Sequence, residues 1–497
     1  MSALEDGKAL LAQGRADDAA AVLAPLAESA DASHDALAAY AQALKATGRL
    51  EAALTIYERA ARAYPDSGVA EHNVASLLGD LDRHEQAVAH AQLAFSKGLD
   101  APETWLVLGR ALQSLGRVAE AEDAFRAALA RRPGWYDALR DLAQVVWMRT
   151  GDADAALAPV EDALRTWPNH PVLTALAAKV ENYGGRAEAA YARLTAASAA
   201  HGGGAADVEM AASNLAATLG RPEEALRHAE NALRLERGNS TAGILACDAF
   251  LGLGRADAAA RMAQRLVQLN PEDQEAIARL AVACRILGDP LHLELYDYAA
   301  FVRAYDLDTP DGWPDLPAYL ADLTAALHRA HGFSAHPYDQ SLRGGTQTGT
   351  DLRGHSDAAI KAFFQAIDGP IRRHMAALGQ GGDLHRRRNT GDYAIAGAWS
   401  VKLKPEGFHV DHIHPMGWLS SACYLELPAG LGSGTTREGW IKFGEPGTPT
   451  QPRLEAEHYV QPAPGRLVLF PSYMWHGTVP FSGADTRLTC AFDVVPA

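Results

Sequence analysis

The residues best suited to chemistry lie close together near the C-terminal end: His409-Val410-Asp411-His412-Ile413-His414-Pro415. Three imidazoles and a carboxylate stand within this short stretch, and each can bind a metal. In an extended strand, alternate side chains share a face. His412 and His414 would then grip one ion together, while His409 and Asp411 form a second alternating pair on the opposite face. A third ligand must come from elsewhere. The candidate is His476, which ends Phe470-Pro471-Ser472-Tyr473-Met474-Trp475-His476 after an apolar strand, Leu467 to Phe470. Arg487 follows in Thr486-Arg487-Leu488-Thr489. A His-x-(His or Asp), a distant His and an Arg just beyond it are the parts of a non-haem Fe(II) site with a carboxylate anchor.

Short strands have to carry these side chains. From about residue 383 the sequence alternates apolar and polar residues between turn signals. The expected strands are Tyr393–Leu403, Phe408–His414, Leu419–Leu427, Gly439–Phe443, His458–Val460, Arg466–Phe470, Gly477–Val479 and Thr486–Val494. So many short strands in so few residues suggest a jelly roll, with the ligand cluster ending the second strand, His476 at the seventh and Arg487 on the eighth. Ahead of them, Leu316–Ala330 and Ser356–Leu378 read as helices. Gln340 to Thr348 is too rich in Gly and Thr for a helix and reads as a loop beside the site or a connector. Asp289 to Tyr305 reads as a last helix, and 306–314 as a turn-rich linker.

The first 300 residues repeat. A turn signal, Gly-Arg or a variant, falls at residues 14, 48, 82, 116, 151, 185, 220, 254 and 288. Pro65, Pro133, Pro168 and Pro271 mark where second helices should end. Between these markers Ala and Leu recur at helical spacing. A helix–turn–helix unit with a period near 34 resembles the tetratricopeptide repeat. One such hairpin cannot bury its own apolar face, so about eight repeats must stack into a solenoid whose groove suits a peptide or protein.

The net charge is -16, and residues 1–300 carry most of it, 28 Lys+Arg against 41 Asp+Glu. That balance argues against nucleic acid and anionic membranes as partners and leans toward a basic or neutral peptide. Cys247, Cys284, Cys423 and Cys490 sit in apolar surroundings with no C-x-x-C pair, as expected of buried free thiols in a reducing compartment. With no leader-like N-terminus and no long apolar run, a soluble cytoplasmic protein is expected. Of the Trp residues near the site strands, most should pack the core and one could wall the pocket. Arg386-Arg387-Arg388 reads as a solvated face or a substrate contact.

Several motifs together carry a second resemblance: His412-Ile413-His414-Pro415, Ser420-Ser421-Ala422-Cys423-Tyr424, Gly465-Arg466-Leu467-Val468-Leu469-Phe470-Pro471-Ser472, His476 and Arg487. With Gly344-Gly345-Thr346-Gln347-Thr348, they resemble a bacterial group of 2-oxoglutarate/Fe(II)-dependent oxygenases often fused to tetratricopeptide repeats. The resemblance covers roughly residues 330–497. It implies Fe(II), 2-oxoglutarate and O2, with 2-oxoglutarate decarboxylated to succinate as a substrate is hydroxylated. It favours His412, His414 and His476 as metal ligands. The superfamily's commoner pattern, with one carboxylate, would select His409, Asp411 and His476 instead. Arg487 would anchor the far carboxylate of 2-oxoglutarate, aided by Thr489 and Tyr424.

The expected architecture is α + β and multidomain: an all-α tetratricopeptide solenoid over 1–300, a linker and supporting helices over 301–382, and a double-stranded β-helix (jelly roll) over 383–497. The expected function is a 2-oxoglutarate-dependent hydroxylase acting on a peptide or protein held by the repeats. The alternatives are a repeat scaffold with a non-catalytic metal-binding jelly roll, and an oxygenase acting on a free small molecule.

Overall fold

A computed structural model describes residues 2–338, 340–431 and 436–497. Helices run in antiparallel pairs from Ala3–Ala12 to Gln274–Leu287. Every one of the nine turn positions takes a left-handed backbone: the eight glycines have φ between 68° and 77°, and Asp82 has φ 56°. A left-handed residue ends one helix and starts the return, and glycine adopts it without a Cβ clash. The arginine of the signal has its own task. Arg49, Arg83, Arg186 and Arg221 reach back one repeat to Asp17, Glu51, Asp154 and Glu188. Such exposed pairs are screened by solvent, so they favour the stacking register more than they stabilise it.

The tight contact is made by alanine. Ala19, Ala53, Ala87, Ala121, Ala156, Ala190, Ala225 and Ala259 each follow their turn by the same step, and all are 0% exposed. A larger side chain there would force neighbouring helices apart, at about 1–3 kcal/mol.

The fold divides into two compact units, Met1–Val145 and Val146–Ala497. The second contains the later repeats and all the strands. Two helices, Leu316–Ala330 and Ala358–Leu378, back the sheets. Among the described residues nine strands follow the repeats: β1 (Arg303–Asp306), β2 (Leu342–Gln347), β3 (Tyr393–His409), β4 (Leu419–Glu426), β5 (Ile441–Phe443), β6 (His458–Val460), β7 (Arg466–Pro471), β8 (His476–Thr478) and β9 (Arg487–Pro496). They form a sheet in the order β1-β7-β4-β9-β3-β2 and a smaller one in the order β6-β5-β8. The described pairings are antiparallel, as in a jelly roll.

Three expectations need correction. The first two expected strands are one, β3: Glu406 takes φ 63° and makes an irregularity, and pairing with β2 resumes beyond it. His412 and His414 therefore lie past the end of that strand, on irregular backbone held by a single bridge between His412 and His476. Gln340–Thr348 is largely strand β2, and Gly345 is needed because a Cβ there would fall 2.5 Å from the Lys402 carbonyl oxygen. The expected last helix breaks into Leu291–Leu295 and Tyr298–Phe301 and ends in β1, which pairs with β7.

Within the second unit one apolar core runs from Ile244 of the repeats to Val494 of β9. Arg285 donates to the carbonyls of Gly444 (2.8 Å) and Glu455 (2.9 Å) and pairs with Glu457. Arg279, paired with Asp248, lies 5.0 Å from the Trp475 ring. The arginine triplet also fastens this joint, with Arg387 donating to the Pro271 carbonyl and Arg388 3.5 Å from Glu272. All four cysteines are buried and free. Among the described residues no helix is long and apolar enough to cross a membrane.

Candidate metal centre

Backbone bonds bring the three imidazoles together. His412 and His476 exchange N–H···O bonds of 2.9 and 3.0 Å, and the His414 amide donates to the Ser472 carbonyl at 3.0 Å. Potential ligand atoms of His412, His414 and His476 then lie within 4.8 Å of one another. Each ring is oriented through its Nδ1: His412 toward the Val410 carbonyl (2.9 Å), His476 toward the Met474 carbonyl (2.9 Å) and His414 toward the Asp493 carboxylate (2.6 Å). A carbonyl or carboxylate oxygen only accepts, so each Nδ1 carries the proton. In the neutral ring that leaves the Nε2 lone pair free for a metal. Burial also holds His412 near a pKa of about 3 and His476 well below the usual value, so both rings stay neutral.

Nε2 of His412 and Nε2 of His414 are 3.2 Å apart. At that distance a proton or a metal cation between the two nitrogens satisfies both. The donor set, its fixed tautomers and this close approach fit a borderline metal ion such as Fe(II).

Asp411 and His409 face other partners. The Asp411 carboxylate takes the Lys442 ammonium at 2.8 Å, and Lys442 also reaches Glu445 at 2.5 Å. Burial works against the Lys442 charge, but the two carboxylates outweigh it and raise its pKa. Burial raises the Asp411 pKa despite that pairing. Gly477 makes room for this arrangement, since a Cβ there would sit 2.5 Å from Asp411 Oδ1. His409 shares a 2.8 Å hydrogen bond with the Ser341 hydroxyl.

A cavity of about 530 Å³ opens on the three imidazoles. Arg487 lines it, only 3% exposed. Its guanidinium donates to the Thr478 hydroxyl at 3.3 Å and lies over the Tyr424 ring at 5.0 Å. Among the described residues no carboxylate pairs with it, and its Nε has no hydrogen-bond partner. Burial accordingly lowers the Arg487 pKa. A buried cation of this kind fits an incoming carboxylate. Thr489 lies on the same face, one alternation along β9. Trp399 walls the cavity, its ring 5.6 Å from that of His414, while Trp418 is wholly buried in the core.

Some site residues were not singled out from sequence. Asp493 holds His414 and also accepts from the Ser420 hydroxyl at 2.7 Å. Its signal was present: Arg487, Thr489, Ala491 and Asp493 alternate along β9 and all line the cavity. Tyr183, the last residue of the repeat helix Pro171–Tyr183, lines it too, which no local pattern announces.

Fold and site together define a helical-repeat protein with a double-sheet domain whose three clustered histidines could hold a metal ion. Residues 397–493 match a family model described as "Putative 2OG-Fe(II) oxygenase". Tetratricopeptide-repeat models match 34–77, 75–135, 106–171 and 216–284. The chain therefore joins tetratricopeptide repeats to a C-terminal domain of that oxygenase family, which implies Fe(II), 2-oxoglutarate and O2. Similar solved structures include a tetratricopeptide repeat protein from Parabacteroides merdae, with 16% identity, TM-score 0.36, and coverage of 49% of this chain and 96% of that one. YrrB, described as a TPR protein with an unusual peptide-binding site, has 20% identity, TM-score 0.26, and coverage of 37% and 95%. MamA from Desulfovibrio magneticus has 14% identity, TM-score 0.31, and coverage of 34% and 98%. A comparison with curated proteins found no match.

Proposed function

We propose that the protein is an Fe(II)- and 2-oxoglutarate-dependent oxygenase that hydroxylates a side chain of a peptide or protein docked on its repeats. The observation that carries this reading is the shared cavity. Three imidazoles oriented by their Nδ1 bonds and a buried arginine without an acidic partner among the described residues line the same space. His412, His414 and His476 would hold the iron, and Arg487 with Thr489 and Tyr424 would hold the far carboxylate of 2-oxoglutarate. Bound there, Fe(II) and 2-oxoglutarate supply O2 activation coupled to decarboxylation.

The chain's own residues supply orientation. Val410, Met474 and Asp493 fix the three ring planes. Lys442 keeps Asp411 paired away from the imidazoles, which favours the three-histidine set over the His409/Asp411 alternative. Apolar walls from Trp399, Val401 and Ile441 limit water around the carboxylate anchor. The repeats supply affinity remote from the chemistry and raise the local concentration of the target. The domain scheme that goes with this reading is a solenoid to residue 300, supporting helices to 382 and the catalytic sheets beyond.

The experiment is anaerobic loading with Fe(II), addition of 2-oxoglutarate and O2, and assay of succinate, followed by a search for captured polypeptides heavier by one oxygen. No succinate above a His476→Ala control would overturn the reading.

A further inference from the structure

We propose that Arg343 reads a carboxylate on the substrate, so that the target is an acidic residue of a polypeptide, Asp or Glu. This rests on the oxygenase reading above and adds the class of side chain admitted.

Arg343 lies on β2 and lines the same cavity as the imidazoles. Its Nη1 donates to the Gln340 carbonyl at 2.8 Å and to the Leu342 carbonyl at 2.9 Å. Those two bonds tie down one corner of a planar group. The other edge, Nε with Nη2, has no acceptor among the described residues, and no carboxylate there pairs with Arg343. A guanidinium edge held in place this way is a bidentate fork for a carboxylate. A lysine could not offer it.

Charge counting points the same way. The formally charged side chains lining the cavity are Arg343, Arg487 and Asp493. Asp493 is engaged by His414 and Ser420. Fe(II) and the two carboxylates of 2-oxoglutarate cancel, and Arg487 balances Asp493. Arg343 remains. An anionic substrate group would balance it, whereas a lysine or arginine side chain would meet a like charge in a partly desolvated space. Tyr183 places a repeat helix at the cavity wall, so a chain lying on the later repeats can deliver one side chain to it. The negative balance of residues 1–300 does not conflict with this, because the flanks of the substrate can be neutral or basic while one residue enters the cavity.

The test uses the full-length protein and fluorescein-labelled peptides of one neutral sequence, with Asp, Glu, Asn, Gln or Lys at the centre. Binding is read by anisotropy with Fe(II) and 2-oxoglutarate under argon, and again without metal. The Asp or Glu peptide should bind about tenfold or more tighter than its amide counterpart, and that ratio should shrink as salt is raised. In Arg343→Gln the ratio should fall to within about twofold, and in Arg343→Glu the Lys peptide should lead. No acid preference in the natural protein up to millimolar peptide overturns the proposal. So does an acid preference that survives intact in Arg343→Gln. If the variants do not fold, the natural protein's acid–amide ratio and its salt dependence decide alone. Succinate release under O2 is scored separately: its absence would remove the oxygenase reading while leaving the binding ratio to stand or fall by itself.

Discussion

Replacing Arg487 by alanine should raise the 2-oxoglutarate requirement steeply while leaving metal content nearly unchanged. The guanidinium is buried, has no acidic partner among the described residues, and keeps one bond to Thr478 and a face on Tyr424. A charge-assisted pair in such a place, broken by truncating one partner, costs about 2–5 kcal/mol. At about 1.4 kcal/mol per tenfold, the apparent affinity for 2-oxoglutarate should fall by a factor of about 30 or more. Arg487→Met provides the sharper control, since it fills similar space without a charge. The natural protein should gain thermal stability on adding 2-oxoglutarate, by about 2.7 kcal/mol at a hundred times its dissociation constant. Arg487→Met should gain almost none, and without 2-oxoglutarate it should melt no lower than the natural protein, because an unpaired buried cation has been removed. The assay is a 2-oxoglutarate titration followed by succinate and by melting temperature, with iron measured in parallel. An unchanged titration in Arg487→Ala would refute the reasoning.

Other expectations follow from the same geometry. His412→Ala, His414→Ala and His476→Ala should each lose iron on dialysis, measured as metal per chain, whereas Asp411→Ala should keep it; the reverse pattern would favour the His409/Asp411 pair. Asp493→Asn should weaken metal binding about 10–100-fold by loosening the His414 ring, read from metal titrations. Burial holds His374 near a pKa of about 3, so the folded chain binds no proton there while the unfolded chain does below about 6.5. Stability should therefore fall as pH drops below about 6.5, by up to about 1.4 kcal/mol per unit for this one group, and His374→Phe should flatten that slope in denaturant titrations. Removing residues 1–145 should leave 2-oxoglutarate turnover measurable. A cut at 290 should give aggregated protein, because it strips Ile244 to Cys284 from a continuous core.

The repeats were legible because their signal is periodic: a left-handed turn residue recurs at near-constant spacing. All three imidazoles that converge were also named from the sequence, but the reason offered was incomplete. Strand alternation alone does not bring His412 and His414 together: they sit on irregular backbone beyond β3 and converge through bonds to His476 and Ser472. The break expected between Leu403 and Phe408 is an irregularity inside one long strand, carried by Lys404-Pro405-Glu406-Gly407, although Pro and Gly usually break strands. Strand β2 was hidden by the glycines that its close approach to β3 requires. Lys442 holding Asp411, and Tyr183 reaching the cavity, are contacts distant in sequence, which no local pattern encodes.

The core that the last repeats share with the sheets also bears on how the protein is made. During synthesis the helical pairs leave the ribosome first, and their contacts are local, so they can fold as they emerge. The sheets cannot do the same. Strand β1 pairs with β7 and β3 with β9, across long stretches of chain, so neither pair can close until its later strand is made. Until then the strands already made have unpaired edges and exposed apolar faces. The helices ending at Leu287 present a preformed apolar wall, with Arg279 and Arg285 positioned to receive Trp475 and the loop from Gly444 to Glu457. In the finished fold the late repeats are part of the support behind the site; during folding the same apolar wall is available to the sheet before all its strands are made.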